Sequence, residues 1–477
     1  MTFGKSVHSS NHGLSAYLLI VCILTVGRAS VSNDALARRP PMGWNSYDAY
    51  YGAITEQQFR QIVDILAKRW RPFGYDYAVI DFGWFNPGPP GWNPNRWSPF
   101  PINQTWNQDS TFSPELAMDK FGRFLPSLNR FPSASGNRGF RPIADYVHSK
   151  GMKFGIHIIR GIPRQAVASN TRILGTSYHA RDVINFGSTS WTNTTQTVDI
   201  RKPGAQRYYD SIFKLYAEWG VDFVKADNMM SPVYQLGEIA MMHKAIEKCG
   251  RRILLSLSWG GPPMSRASHL IANANMWRVS GDFWDRWPQL QQTFDRLANW
   301  SSFSGEGHWP DADMLPIGLL CLGGFPDGEK FPEHYTQLSD AEIKTLISLW
   351  SVARSPLMWG GDPIRTPGSY DKYLTNRELI QMNQDGENPR QIAASSNTRI
   401  WMSDVPNSAD KYLVLFNIDD EKSVETTFDF LWEKLSGFYR VHDLWTGRDE
   451  EIVNDSVTRT LAPHSCASLR LKKLRYK

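Results

Sequence analysis

The 477-residue sequence predicts a closed parallel αβ barrel, the (β/α)8 TIM barrel, followed by an antiparallel β-sandwich. Three observations carry that expectation. Eight strand-then-helix units follow one another from Pro40 to about Gly386. Carboxylates and cations collect at the C-terminal ends of the strand-like runs, where the loops of such a barrel form its concave face. Beyond Gly386 the texture changes to short alternating segments with no helical pattern. A doubly wound open sheet is the competing arrangement, but no Gly-x-Gly-x-x-Gly turn supports it. The expected boundaries are 1–30 for a secretory signal, 31–385 for the barrel and 386–477 for the sandwich.

The N-terminus places Lys5 before an apolar run from about Leu14 to Gly27, then small residues around Ala29 and Ser30. That is the layout of a cleaved signal, with an uncleaved anchor as the alternative because Arg28 adjoins the cleavage site. Sequons at Asn103, Asn193, Asn299 and Asn454 agree with a secretory route to the cell exterior, a vacuole or a lysosome. Outside the signal only Cys249, Cys321 and Cys466 remain, so at most one disulfide can form. Charged residues make up 21% and hydrophobic residues 41%, which argues against long disorder. A net charge of +5 with no basic block offers nothing to nucleic acid. Nineteen Trp, eighteen Tyr and twenty-four Phe exceed the needs of a core, and flat rings at a cleft suit sugar faces.

Taken in order, PPMGWNSYDAY puts Trp44 at the end of a first strand, before a helix from about Thr55 to Trp70. Strand two, Tyr75 to Trp84, ends on Asp81. A Pro-, Asn- and Trp-rich stretch to about Arg141 reads as a functional loop or ordered insertion. A helix over Pro142 to Lys150 precedes strand three, Lys153 to Gly161, with His157 and Arg160 near its end. After a second insertion, 162–203, a helix near Gly204 to Trp219 leads to VDFVKADN, the focal strand four. Lys225 and Asp227, two apart on a strand, point the same way, and an ammonium there would keep the carboxylate ionised.

A helix near Gln235 to Lys248 leads to strand five, Ile253 to Trp259. Strand six, Met276 to Gly281, is followed at once by Asp282. A helix from about Asp285 to Ser301 precedes strand seven, around Asp311 to Leu315, and one near Ser339 to Ser351 precedes strand eight, Pro356 to Gly360. The strand ends thus gather Trp44, Asp81, His157, Arg160, Lys225, Asp227, Arg278, Asp282, Asp311 and Asp313. A single Asp at such a place is an ordinary helix cap; together they favour a site. No His/Cys/Glu set has metal-ligand spacing and no Gly-x-Ser-x-Gly elbow occurs, so the work falls to carboxylates and implies no cofactor. Two Asp from strands four and six face each other across a barrel mouth, which suits cleavage of a glycosidic bond.

PPMGWNSY, YAVIDFGW, VDFVKADN, WRVSGDFWD, DADMLPIG and SPLMWGGD, in this order, resemble glycoside hydrolase family 27, the α-galactosidase (melibiase) family, from about Pro40 to the C-terminus. The resemblance implies a retaining exo-glycosidase acting on galactose- or arabinopyranose-terminated oligosaccharides or glycoconjugates. It makes Asp227 the nucleophile and Asp282 the acid/base, with Asp285 second for the acid role. It makes Lys225 and Arg278 holders of sugar hydroxyls, Trp44 the aromatic wall, Asp81 the grip on the O4/O6 side and Asp313 a further lining carboxylate. His157, Arg160, Ser258 and Trp259 complete the expected binding set.

Departures from the pattern matter as much. Phe82 stands where the family usually has a second Asp, His157 where a Tyr is usual, and Met229 where a Cys would form an active-site disulfide. Ser258 and Trp259 occupy the end of strand five in place of a Glu that reads the 2-position. HIIRGIPRQAV resembles a subgroup that acts on β-L-arabinopyranosides as well as α-galactosides. A relative of altered specificity, α-N-acetylgalactosaminidase-like or glucan-cleaving, and a catalytically silent sugar-binding barrel are the alternatives.

Overall fold

The computed structural model describes residues 36–87, 116–189, 194–322 and 332–474. The expected signal, the sequons at Asn103 and Asn193 and much of the first insertion lie outside them. Among the described residues no helix is long and apolar enough to cross a membrane.

Eight parallel strands form one sheet: β1 (Met42–Asn45), β2 (Tyr77–Ile80), β3 (Lys153–Ile159), β4 (Phe223–Asp227), β5 (Leu254–Leu257), β6 (Met276–Arg278), β7 (Trp309–Asp311) and β8 (Leu357–Trp359). The order runs from β7 through β6, β5, β4, β3 and β2 to β1 and then β8. A further parallel bridge, Leu315 to Trp359, joins the segment after β7 to β8. Leu315 donates to the Met358 carbonyl at 2.8 Å and accepts from the Gly360 amide at 3.0 Å, so the join lies past the end of β7. The chain expected to be a strand at Asp311 to Leu315 therefore leaves the ladder at Asp311, and Asp313 adopts a left-handed backbone, φ 90°.

A helix follows every strand: Glu56–Arg69, Arg141–Ser149, Ala205–Trp219, Leu236–Lys248, Ala267–Asn273, Trp287–Trp300, Asp340–Val352 and Arg377–Asp385. Two begin with full capping boxes, Thr55 with Gln58 and Ser339 with Glu342, which satisfy otherwise orphaned first-turn amides. The helix after β5 has seven residues and follows Pro262 and Pro263, which hid it from periodicity. The second insertion folds as a short helix, Arg164–Ser169, beside a three-stranded sheet.

Alternation along the strands sorts side chains into two layers. Tyr77, Val79, Phe223, Leu254, Met276, Trp309 and Met358 pack together as the filled barrel interior. Trp44, Ala78, Ile80, Phe154, Ile156, Val224, Ala226 and Leu257 belong to the larger core shared with the helices. That division decides which polar residues can reach the mouth.

From Glu387 onward the chain forms a six-stranded antiparallel sheet and a two-stranded one. Ile400, Met402, Leu413 and Leu415 fill the space between them with Phe428 and Val457. The alternate residues Trp401, Tyr412, Val414 and Phe416 join the barrel's own core. Both faces of the large sheet are thus buried along its central strands, and barrel and sandwich pack as one compact unit. Cys249, Cys321 and Cys466 are all free thiols.

Candidate active site

The interior row of the barrel ends, at the C-terminal side, in polar residues. His157 pairs in register with Lys225, and Lys225 with Ser256, so these side chains share the interior parity. A cleft of about 360 Å3 opens above them, lined on one side by Asp81, His157, Lys225, Asp227 and Ser258 and on the other by Arg278, Asp282 and Asp313. Trp259, half-buried, completes the wall after β5.

Two residues expected at the site lie elsewhere, for one reason. Trp44 is fully buried with outward parity, packs on Tyr50 and Phe59, and donates Nε1 to the Gly361 carbonyl at 2.7 Å. Arg160 stands two residues past outward-facing Ile158 and pairs with Glu238 at 3.2 Å in the helix layer. The aromatic wall is instead Tyr47, which opens a short helix directly after β1 and packs at a tilt against Tyr51, 4.8 Å between ring centres. Tyr47, Asp48, Tyr51 and Met314 all line the cleft and were missed by motif reading, because they lie past the strand ends in segments where no fixed period applies.

Lys225 makes its close ion pair with Asp81, while Asp227 adds a weaker attraction. Its ammonium sits 3.0 Å from Asp81 Oδ2, which also accepts from Asn45 Nδ2 at 2.8 Å. Burial alone would raise the Asp81 carboxyl, but Lys225, His157 and the Phe82 amide outweigh it and hold the group below the ordinary range. Burial likewise opposes the Lys225 charge, and Asp81 and then Asp313 more than restore it. Asp227 is served by other partners: Ser258 Oγ donates to Oδ1 at 3.0 Å, and His157 Nε2 lies 3.5 Å from Oδ2. Ser258 therefore braces a carboxylate as well as lining the cleft.

Across the opening, Arg278 is buried and bonds Asp313 Oδ2 at 2.6 Å, the Gly281 carbonyl at 2.5 Å and Asp282 Oδ1 at 3.4 Å. Burial pushes Asp313 up to about 7 even with Arg278 beside it, because Asp282 and Asp311 add repulsion. The Asp282 side chain is 46% exposed, against 8% for Asp227. The cleft thus contains one carboxyl held from beneath and one facing solvent. Asp285, the other candidate for the acid role, is buried outside the cleft, where it accepts from His334 Nε2 at 3.0 Å and the Gln337 amide at 2.6 Å. It anchors a loop. Asp311 accepts from the Asp313 amide at 2.9 Å and shapes the turn that carries Asp313.

Comparison with known proteins identifies the family. The family model for alpha galactosidase A matches residues 192–385, and that for the alpha galactosidase C-terminal beta sandwich domain matches residues 395–471. An alpha-galactosidase of Oryza sativa subsp. japonica is 27% identical over 449 residues, covering 92% of this chain and 86% of the relative. An alpha-N-acetylgalactosaminidase of Gallus gallus is 26% identical, covering 87% and 88%. The crystal structure of a family 27 β-L-arabinopyranosidase from Geobacillus stearothermophilus is 39% identical with a TM-score of 0.85, covering 92% of this chain and 98% of that one. A variant of the same enzyme with arabinose bound gives a TM-score of 0.84. The chain belongs to glycoside hydrolase family 27 and is a glycoside hydrolase.

Proposed function

We propose that the enzyme is a retaining exo-glycosidase that releases both terminal α-D-galactosyl and terminal β-L-arabinopyranosyl residues. Asp227 attacks the anomeric carbon as a carboxylate while Asp282, protonated, donates to the departing oxygen. The glycosyl ester formed on Asp227 is then attacked by water, whose proton returns to Asp282. The observation that carries this reading is the unequal pair on one cleft. Asp227, from β4, is braced by Ser258 and His157, which suits a nucleophile that must not drift; Asp282, after β6, has the solvent access a proton carrier needs.

The sugar preference is read from Phe82. Its ring is buried directly after Asp81, edge-on to His157 at 5.7 Å and to Tyr51 at 6.5 Å. A phenyl ring offers no acceptor to a 6-hydroxyl, and β-L-arabinopyranose is α-D-galactopyranose without its exocyclic CH2OH. The similarity to the Geobacillus enzyme supports the same direction. Kinetics on the two p-nitrophenyl glycosides, with the α-N-acetylgalactosaminide alongside, test it. Comparable kcat/KM on the first two is expected; a strong preference for galactose, or turnover of the acetamido sugar alone, would overturn it. We further read residues 1–30 as a removable secretory signal and 386 as the start of the sandwich. N-terminal sequencing of protein recovered from the medium checks the former.

A further inference from the structure

Asp48 belongs to the short helix Tyr47–Tyr50 directly after β1, and its side chain lines the catalytic cleft. The residue is 2% exposed, and its Oδ2 is buried with no hydrogen-bond partner among the described residues. Buried carboxyl oxygens are normally paired, so an orphan beside a substrate cleft calls for a partner that arrives with the substrate. The position is also built for. At Gly360, immediately after β8, an added Cβ would lie 2.0 Å from Asp48 Oδ2, so only glycine there leaves room for the carboxyl.

The charges around Asp48 indicate what that partner is. Burial first and Asp313 second push its carboxyl well above the ordinary range, with Asp282 and Asp81 adding to the rise and Lys225 opposing it. A shift in that direction favours the protonated carboxyl, which both donates and accepts. An anionic ligand would meet four further carboxyls, Asp81, Asp227, Asp282 and Asp313, and the Lys225 ammonium is already engaged by Asp81. A sugar hydroxyl, neutral and able to donate and accept, fits.

We propose that Asp48 is a substrate-binding residue whose carboxyl, seated in the space Gly360 leaves, hydrogen-bonds one ring hydroxyl of the terminal pyranose. The inference rests on the glycosidase reading above and adds a specificity group to it. Asp48 matches none of the roles the family motifs imply, and no step of the proposed mechanism uses it.

The test compares wild type, Asp48→Ala and Asp48→Asn on p-nitrophenyl β-L-arabinopyranoside and on its 2-, 3- and 4-deoxy analogues. Asp48→Ala should raise KM about tenfold or more with kcat changed much less, as expected when a site loses a hydroxyl contact. Asp48→Asn, which keeps a donor and an acceptor, should recover most of that loss. The penalty of Asp48→Ala should vanish on the one deoxy analogue that lacks the bonded hydroxyl. A penalty of the same size on every analogue, or no penalty on any, would overturn the assignment, because a purely structural role cannot distinguish the hydroxyls. Asp48→Ser replaces the alanine variant if that fails to fold. Wild type inert on the parent arabinopyranoside would instead overturn the dual specificity proposed above, and the same comparison on p-nitrophenyl α-D-galactopyranoside and its deoxy analogues then decides the role of Asp48.

Discussion

The two sides of the cleft use the same ingredients to different ends. On the β2–β4 side, Asp81 and Lys225 form a sealed pair, fully buried and 13% exposed at their side chains, with Asp227 next to it. On the β6–β7 side, Arg278 bridges Asp313, 3% exposed, and Asp282, 46% exposed. Each side is a cation between carboxyls. The difference lies in where water reaches, and under the proposed mechanism it divides the labour between a carboxylate that stays and one that exchanges its proton.

The largest effect should come from Asp227→Ala, which removes the attacking group and should lower kcat by about 10,000-fold or more. Residual hydrolysis within tenfold of wild type would move the nucleophile elsewhere. Asp282→Ala should cost about 100- to 10,000-fold on sugars with poor leaving groups and far less on p-nitrophenyl glycosides, whose phenolate departs without a proton. An equal loss on both would deny Asp282 the acid role. Next comes the sealed pair. Lys225→Met strands Asp81 in the interior and should cost about 3–5 kcal/mol in urea unfolding at neutral pH.

The pH dependence of that cost follows from the two shifts. The folded value of Asp81 lies below its unfolded one, so its contribution is present above about pH 4 and is lost as pH falls through the folded value. The folded value of Lys225 is raised, so its contribution holds below about pH 10.4 and is lost as pH rises through the folded value. The stability gap between Lys225→Met and wild type should therefore be widest between those limits and shrink towards acid. A gap that grows on acidification would contradict the pairing.

A smaller effect tests specificity. On the proposed reading of Phe82, Phe82→Asp supplies the missing acceptor and should move the galactoside-to-arabinoside ratio of kcat/KM about tenfold towards galactose. An unchanged ratio would remove Phe82 from the account. The smallest effect on activity is expected from Trp44→Phe. Buried in the outer layer, Trp44 should affect stability, by about 1–3 kcal/mol for the lost packing and the bond to Gly361, and leave KM within about twofold.

Much of this was legible in the residues. The apolar runs mark seven of the eight strands, and the carboxylates at the ends of β2, β4 and β6 mark the mouth. The strand read over Asp311 to Leu315 is the clearest failure. DADML looks like a strand to a pattern that counts apolar residues, but Asp313 takes a left-handed backbone, a conformation costing about 1–3 kcal/mol that only the assembled site holds in place. Trp44 and Arg160 were placed by proximity to a strand end, and the period of two, applied strictly, excludes both. The choice of Asp81 over Asp227 as the Lys225 partner was not legible at all. It depends on how far β2 and β4 lie apart across β3, and no single strand contains that distance.

The most direct test of the central claim is to trap the covalent intermediate. A 2-deoxy-2-fluoro sugar with an activated leaving group slows hydrolysis of the ester, and peptide mapping by mass spectrometry locates the bound sugar. The account predicts one label, on the carboxyl of Asp227. A label on any other residue, with Asp227 unmodified, would contradict it.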